Sequence, residues 1–136
     1  MKVYAPAAAR TTPVDRNVLR ILTGSSGGQA GGGNLQIGSY TCPTGRRAAV
    51  YVPDYYGIVT TVMGAGQIGE LRVNRNAVLV YTRRWLGGDA VGSEKALQTL
   101  PMFLIAGDNV TLLLAMAAGA GVVFGCGAIE GYEYDV

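Results

Sequence analysis

Directly behind the glycines of "TTVMGAGQIG" (residues 60 to 69) the chain begins to alternate. Leu71 and Val73 are interleaved with Arg72 and Asn74, and Val78 and Val80 with Leu79 and Tyr81. Period two marks an extended strand, because successive side chains point to opposite faces of a sheet. The point matters because Gly64, Gly66 and Gly69 spell a literal GxGxxG. In a dinucleotide site those glycines open a helix whose N-terminus faces the pyrophosphate, within a βαβ unit. A strand in that place removes the helix, and no acidic ribose partner can be placed after it. The three glycines read as turn residues.

The same period recurs along the chain. It predicts strands over 17–23, 34–40, 47–53, 56–63, 69–75, 77–84, 109–117 and 122–135. With 21 glycines in 136 residues, against a usual share of about 7%, long helices are disfavoured. Residues 87–101 read as irregular, with one or two helical turns in "SEKALQTL" capped by Ser93. "AAGAG" (117–121) reads as the hairpin turn of the last two strands. This also explains the 18 uncharged residues 112–129 better than a membrane helix does. Short strands at this spacing predict an all-β fold, an antiparallel β-sandwich of jelly-roll type. "GSSGGQAGGG" (24–33) reads as a flexible tether. The expected organisation is an extended N-terminal arm and tether over 1–33 and a sandwich over 34–136.

Histidine is absent, which removes the commonest general base and metal ligand. No catalytic, cofactor or metal residues are expected. Asp54 beside Tyr55 and Tyr56 is the most site-like carboxylate, and an enzyme would require Asp54 and Glu70 to converge in a cleft. Cys42 and Cys126 lie far apart in no metal-type spacing and read as buried small side chains. Nucleic acid is not an expected partner, since the arginine doublets 46–47 and 83–84 point to opposite faces of a strand. Charge is nonetheless divided. Residues 1–84 carry ten basic groups against three acidic ones, and residues 85–136 carry one against six. Complementary faces between neighbouring copies would use such a division.

One strand carries a further signal. From 122 to 134 the even positions Val122, Phe124, Cys126 and Ala128 are apolar. The odd face is nearly bare at Gly125, Gly127 and Gly131. A bare face admits close approach, either of the opposite sheet or of another subunit about a symmetry axis.

Three stretches carry a resemblance: "TCPTGRRAAVYV" (41–52), "IAGDNVTLLL" (105–114) and "AIEGYEYDV" (128–136). In these the chain resembles the small single jelly-roll structural proteins of tailed bacteriophages. Secreted trimeric sandwiches of the tumour-necrosis-factor type share such turns. The phage resemblance implies a virion location, assembled in the host cytoplasm. It implies a decoration or cement protein, a trimer seated on the major capsid protein, with no catalytic residues to carry over. Its arm would present Arg10, Arg16 and Arg20 to acidic groups. Gly125, Gly127 and Gly131 would serve the subunit contact. The alternative is a receptor- or carbohydrate-binding head that uses Tyr55, Tyr56 and Trp85.

Overall fold

The computed structural model describes residues 17–136. Its ten strands are β1 (Leu19–Ala30), β2 (Gly33–Thr41), β3 (Arg46–Tyr51), β4 (Tyr55–Thr61), β5 (Gly69–Arg75), β6 (Val78–Trp85), β7 (Glu94–Leu97), β8 (Met102–Leu104), β9 (Asn109–Met116) and β10 (Val122–Asp135). They pair as a nest: β1 with β10, β2 with β9, β3 with β8, β4 with β7 and β5 with β6, all antiparallel. The chain is therefore one long two-stranded ribbon. Its closed end is the two-residue turn Asn76–Ala77, both at positive φ (50° and 64°), the geometry that matches strand twist in a tight hairpin.

Rolling the ribbon up adds a second set of pairings. β10 takes β4 along residues 122–126 and β3 along residues 130–135, while β9 takes β5. The products are a six-stranded sheet, with β1 on one side of β10 and β3, β4, β7 and β8 on the other, and a four-stranded sheet in the order β2-β9-β5-β6. This is the jelly-roll form of the antiparallel sandwich. Between the sheets lie Val50, Tyr55, Leu71, Trp85, Leu112, Leu114 and Ile129, all buried.

Three expectations are corrected. The glycine-rich stretch over 24–33 is no tether. Residues 24–30 complete β1, which pairs with β10 at all twelve positions from Leu19↔Glu133 to Ala30↔Val122. Glycine is needed here because β1 runs very close to its neighbours. A Cβ on Gly24 would stand 2.1 Å from the Gly127 carbonyl oxygen. The sandwich thus begins at β1, before residue 34. Second, "SEKALQTL" holds a strand where helical turns were expected, because β7 completes the edge of β4. Third, "AAGAG" turns no hairpin: β9 and β10 belong to different sheets, and residues 117–121 cross between them.

The GxGxxG resolves as its alternation implied. No helix occurs among the described residues, and β5 begins at Gly69. Gly66 occupies a turn at φ 73°, and a Cβ on Gly69 would lie 2.7 Å from Met116 Sδ. Between them Gln67 is a buried polar residue. Its Oε1 accepts from the backbone N–H of Gly64 (3.0 Å) and Gly121 (2.7 Å). Its Nε2 donates to the carbonyls of Ala117 (3.1 Å) and Gly121 (3.2 Å). One side chain satisfies the backbone of two glycine loops, which is what makes its burial affordable.

Candidate protein interface

The strand that carried the glycine signal sits in the middle of the six-stranded sheet. Its odd face points inward. Val123 and Ile129 are buried, and so are Gly125, Gly127 and Gly131. A Cβ on Gly127 would fall 2.7 Å from the ring of Tyr55, and one on Gly125 3.0 Å from Leu114 Cδ2. Gly131, at φ 152°, lies against the backbone of β3, where a Cβ would meet the Ala49 oxygen at 2.0 Å. The space left by these glycines is filled from within the same chain. The expected role of Gly125, Gly127 and Gly131 as subunit contacts is corrected accordingly.

The outward face is the even one, and the register extends it across the whole sheet. One row runs Gly28–Phe124–Ile58–Glu94, the next Ser26–Cys126–Tyr56–Ala96. Further along lie Leu22–Glu130–Tyr51 and Arg20–Tyr132–Ala49–Phe103. Phe103 is 70% exposed, Tyr132 53% and Phe124 40%, with Leu22, Tyr51 and Tyr56 also exposed. Small residues on β1 (Gly24, Ser26, Gly28) leave the aromatic rings standing free of that side. Exposed aromatic side chains in such number are the composition of a protein-binding patch. Among the described residues the face carries one ion pair, Arg20 to Glu130 at 3.3 Å.

The other sheet presents the opposite chemistry. On its outer face Asn109 Nδ2 donates to Ser39 Oγ (3.1 Å), Thr41 Oγ1 (2.9 Å) and the Tyr40 carbonyl (3.2 Å), while Thr111 Oγ1 donates to Asn109 Oδ1 (2.7 Å). Glu70 accepts from Thr82 and Arg84 at 3.1 and 3.2 Å. These polar groups satisfy one another.

The remaining expected residues are placed as follows. Arg10 and Arg16 lie outside the described residues. Arg20 is on the outer face of β1, paired as above. Tyr55 and Trp85 are corrected as ligand-binding candidates, because both are buried core residues. The Tyr55 hydroxyl donates to the Leu113 carbonyl at 2.6 Å, and burial raises its pKa above the ordinary phenol range. The Trp85 indole donates to the Ser93 carbonyl at 3.0 Å. Only Tyr56 is exposed. It lines an open recess of about 480 Å³ with Asp54, Glu94, Lys95 and Ala96. Asp54 and Glu70 do not converge: Asp54 lies in the loop before β4 of the six-stranded sheet, and Glu70 on the outer face of β5 in the other sheet. Neither cysteine is paired: Cys42 is buried as expected, and Cys126 is half-buried on the outward face. No helix among the described residues is long and apolar enough to cross a membrane.

A cluster that the sequence did not signal closes one end of the sandwich. Arg46 pairs with Glu133 (2.9 Å) and with Asp135. The Tyr40 hydroxyl donates to Glu133 Oε2 at 2.5 Å, and its pKa is raised, first by burial and then by that carboxylate. Asn17 Nδ2 donates to Asp135 (2.6 Å), so the cluster ties the entry of the described chain to its last strand. Nothing in the spacing of residues 40, 46 and 133 could have joined them.

No protein-family model matches the chain, and no curated protein sequence matches it. Among solved structures, dimeric latent PorU from Porphyromonas gingivalis is similar at a TM-score of 0.51 and 12% identity, over 89% of this chain. Infectious bursal disease virus of the Gx strain aligns at a TM-score of 0.43 and 13% identity over 89% of this chain. T=1 particles derived from infectious bursal virus align at 0.44 and 12%, again over 89%. This chain spans 13% of the PorU chain and 33% and 32% of the two virus chains. Similarity at such identities describes a fold, the β-sandwich; the two virus alignments fall below a TM-score of 0.5.

Proposed function

We propose that the chain is a non-enzymatic virion structural protein, a capsid decoration or cement protein that binds the shell of major capsid protein and neighbouring copies of itself. The observation that carries this reading is the outward face of the six-stranded sheet. Phe124, Tyr132, Phe103, Tyr51 and Leu22 all stand exposed on it. An isolated domain gains nothing from leaving so many aromatic rings in water, whereas a partner surface that buries them gains roughly 25 cal/mol per Å². The resemblance of stretches 41–52, 105–114 and 128–136 to phage jelly-roll proteins supports the same reading.

The test is attachment to purified shells by co-sedimentation, with the sheet face altered by Phe124→Asp and Tyr132→Asp together. Both side chains point away from the core, so the β-sheet circular dichroism should persist while attachment falls at least about tenfold. Full attachment by the folded variant would sink the reading. The alternative, a carbohydrate-binding head, retains Tyr56 and the recess beside it after losing Tyr55 and Trp85 to the core. Glycan binding lost on Tyr56→Ala, with no shell attachment by the unaltered chain, would favour it.

A further inference from the structure

We propose that the flank carrying β6 is where copies of this chain touch one another, the Arg83 edge of one copy seating on the Asp54–Tyr56–Glu94 recess of the next. This deepens the assembly reading and rests on it.

The first observation is the edge itself. β6 pairs with β5 on one side and has no partner strand on the other among the described residues. Open edges invite pairing with another chain, and folded proteins usually shorten, charge or cover them. The other edges are treated in that way. β7 and β8 run for only four and three residues. The edge of β2 is met by β1, where Ser25 Oγ donates to the Ile37 carbonyl at 2.8 Å. β6 is eight residues long without glycine or proline, and its first half is apolar and solvent-facing, with Val78 64% and Val80 44% exposed.

The second observation is charge. Arg83 is exposed and has no ion-pair partner among the described residues; beside it Arg84 shares Glu70 at 3.2 Å. In the recess, Asp54, Glu94 and Lys95 likewise lack ion-pair partners among the described residues. Two carboxylates against one ammonium leave the recess negative. Its volume of about 480 Å³ admits a guanidinium, which can fork to a carboxylate and stack on the ring of Tyr56.

The third is adjacency. Trp85, the last residue of β6, donates to the carbonyl of Ser93, immediately before β7. The basic edge and the negative recess therefore adjoin on one flank. A copy rotated about an axis along that flank sets the basic edge of each against the recess of its neighbour, and a closed ring uses both halves on every copy. Self-association thereby matches a positive strip to a negative recess without any other protein.

The experiment measures the mass of the full chain by sedimentation equilibrium, alone and with Arg83→Glu, Glu94→Arg, or both. The unaltered chain should form a closed oligomer that dissociates about tenfold more readily at 0.5 M than at 0.05 M salt, since exposed charges are screened. Each single reversal should weaken association at least about tenfold, and the double variant should recover it because the exchanged charges meet again. Both positions are exposed, and circular dichroism verifies the fold. A monomer at about 100 µM, or an oligomer indifferent to both single reversals, overturns the proposal; an acidic protein or a glycan would then be the occupant of this flank. Shell attachment is read separately through Phe124 and Tyr132. Full attachment by the Phe124→Asp, Tyr132→Asp variant, or none by the unaltered chain, together with an intact oligomer refutes the cement reading and leaves this contact standing.

Discussion

The two outer faces of the sandwich are built on the same strand periodicity and come out chemically opposed. On the four-stranded sheet, Asn109, Thr111, Ser39 and Thr41 hydrogen-bond to one another, and Glu70 gathers Thr82 and Arg84. Those groups pair with one another and can face water, while Arg72 Nε and Asn74 Oδ1 beside them have no hydrogen-bond partner among the described residues. On the six-stranded sheet, Phe124, Tyr132, Phe103, Tyr51 and Leu22 stand exposed, uncovered by the described residues. A sheet needs only one apolar face to fold. A second one is surplus to folding, so it reports on what the protein meets.

The comparison can be broken first within β10, where inward and outward positions alternate. Gly127→Val would drive side-chain atoms into Tyr55, whose ring already lies 2.7 Å from an added Cβ. Overpacking of that kind should lower stability by about 3 kcal/mol in thermal or denaturant unfolding. The neighbouring outward change Phe124→Ser should cost under about 1 kcal/mol. Equal losses at the two positions would mean that the two faces are not distinct.

A smaller effect follows from alkaline titration. Tyr55 and Tyr40 hold their protons to higher pH when folded than the ordinary phenol value near 10, chiefly through burial. Above that value the unfolded chain loses these protons and the folded chain does not. Stability is therefore fully present below pH 10 and falls as pH rises beyond it, by up to about 1.4 kcal/mol per pH unit for the buried Tyr55. Tyr55→Phe should flatten that slope in urea unfolding measured between about pH 9 and 11. An unchanged slope would place the alkaline transition elsewhere.

The smallest effect sharpens the contrast from the polar side. Asn109→Ala removes the amide whose two N–H groups are shared among Ser39, Thr41 and the Tyr40 carbonyl on the polar face. It should cost about 1 kcal/mol while leaving shell attachment unchanged. Reduced attachment would show that this face, too, meets a partner.

Much of the fold was legible because alternation is a local property. β2, β3, β4, β5, β6, β9 and β10 each carry it in their own residues, and the strand behind Gly69 was enough to dismiss a nucleotide loop. β1 was not legible beyond residue 23. Glycine and serine over 24–28 have little preference for extended structure, and their strand state comes from pairing with β10, about a hundred residues away. The same remoteness hid β7, an edge strand made by β4, and Gln67, whose partners lie in the 117–121 crossing.

By itself the sequence determined that the chain is an all-β sandwich and that β10 has one bare face and one apolar face. Only the tertiary structure decided which of the two looks outward. Both faces hold apolar residues, so burial preference could not choose between them. The choice was made by volume: Tyr55 and Leu114 need the room that Gly125 and Gly127 leave. Filling that room turns Phe124 and Tyr132 to the surface, where a partner can reach them.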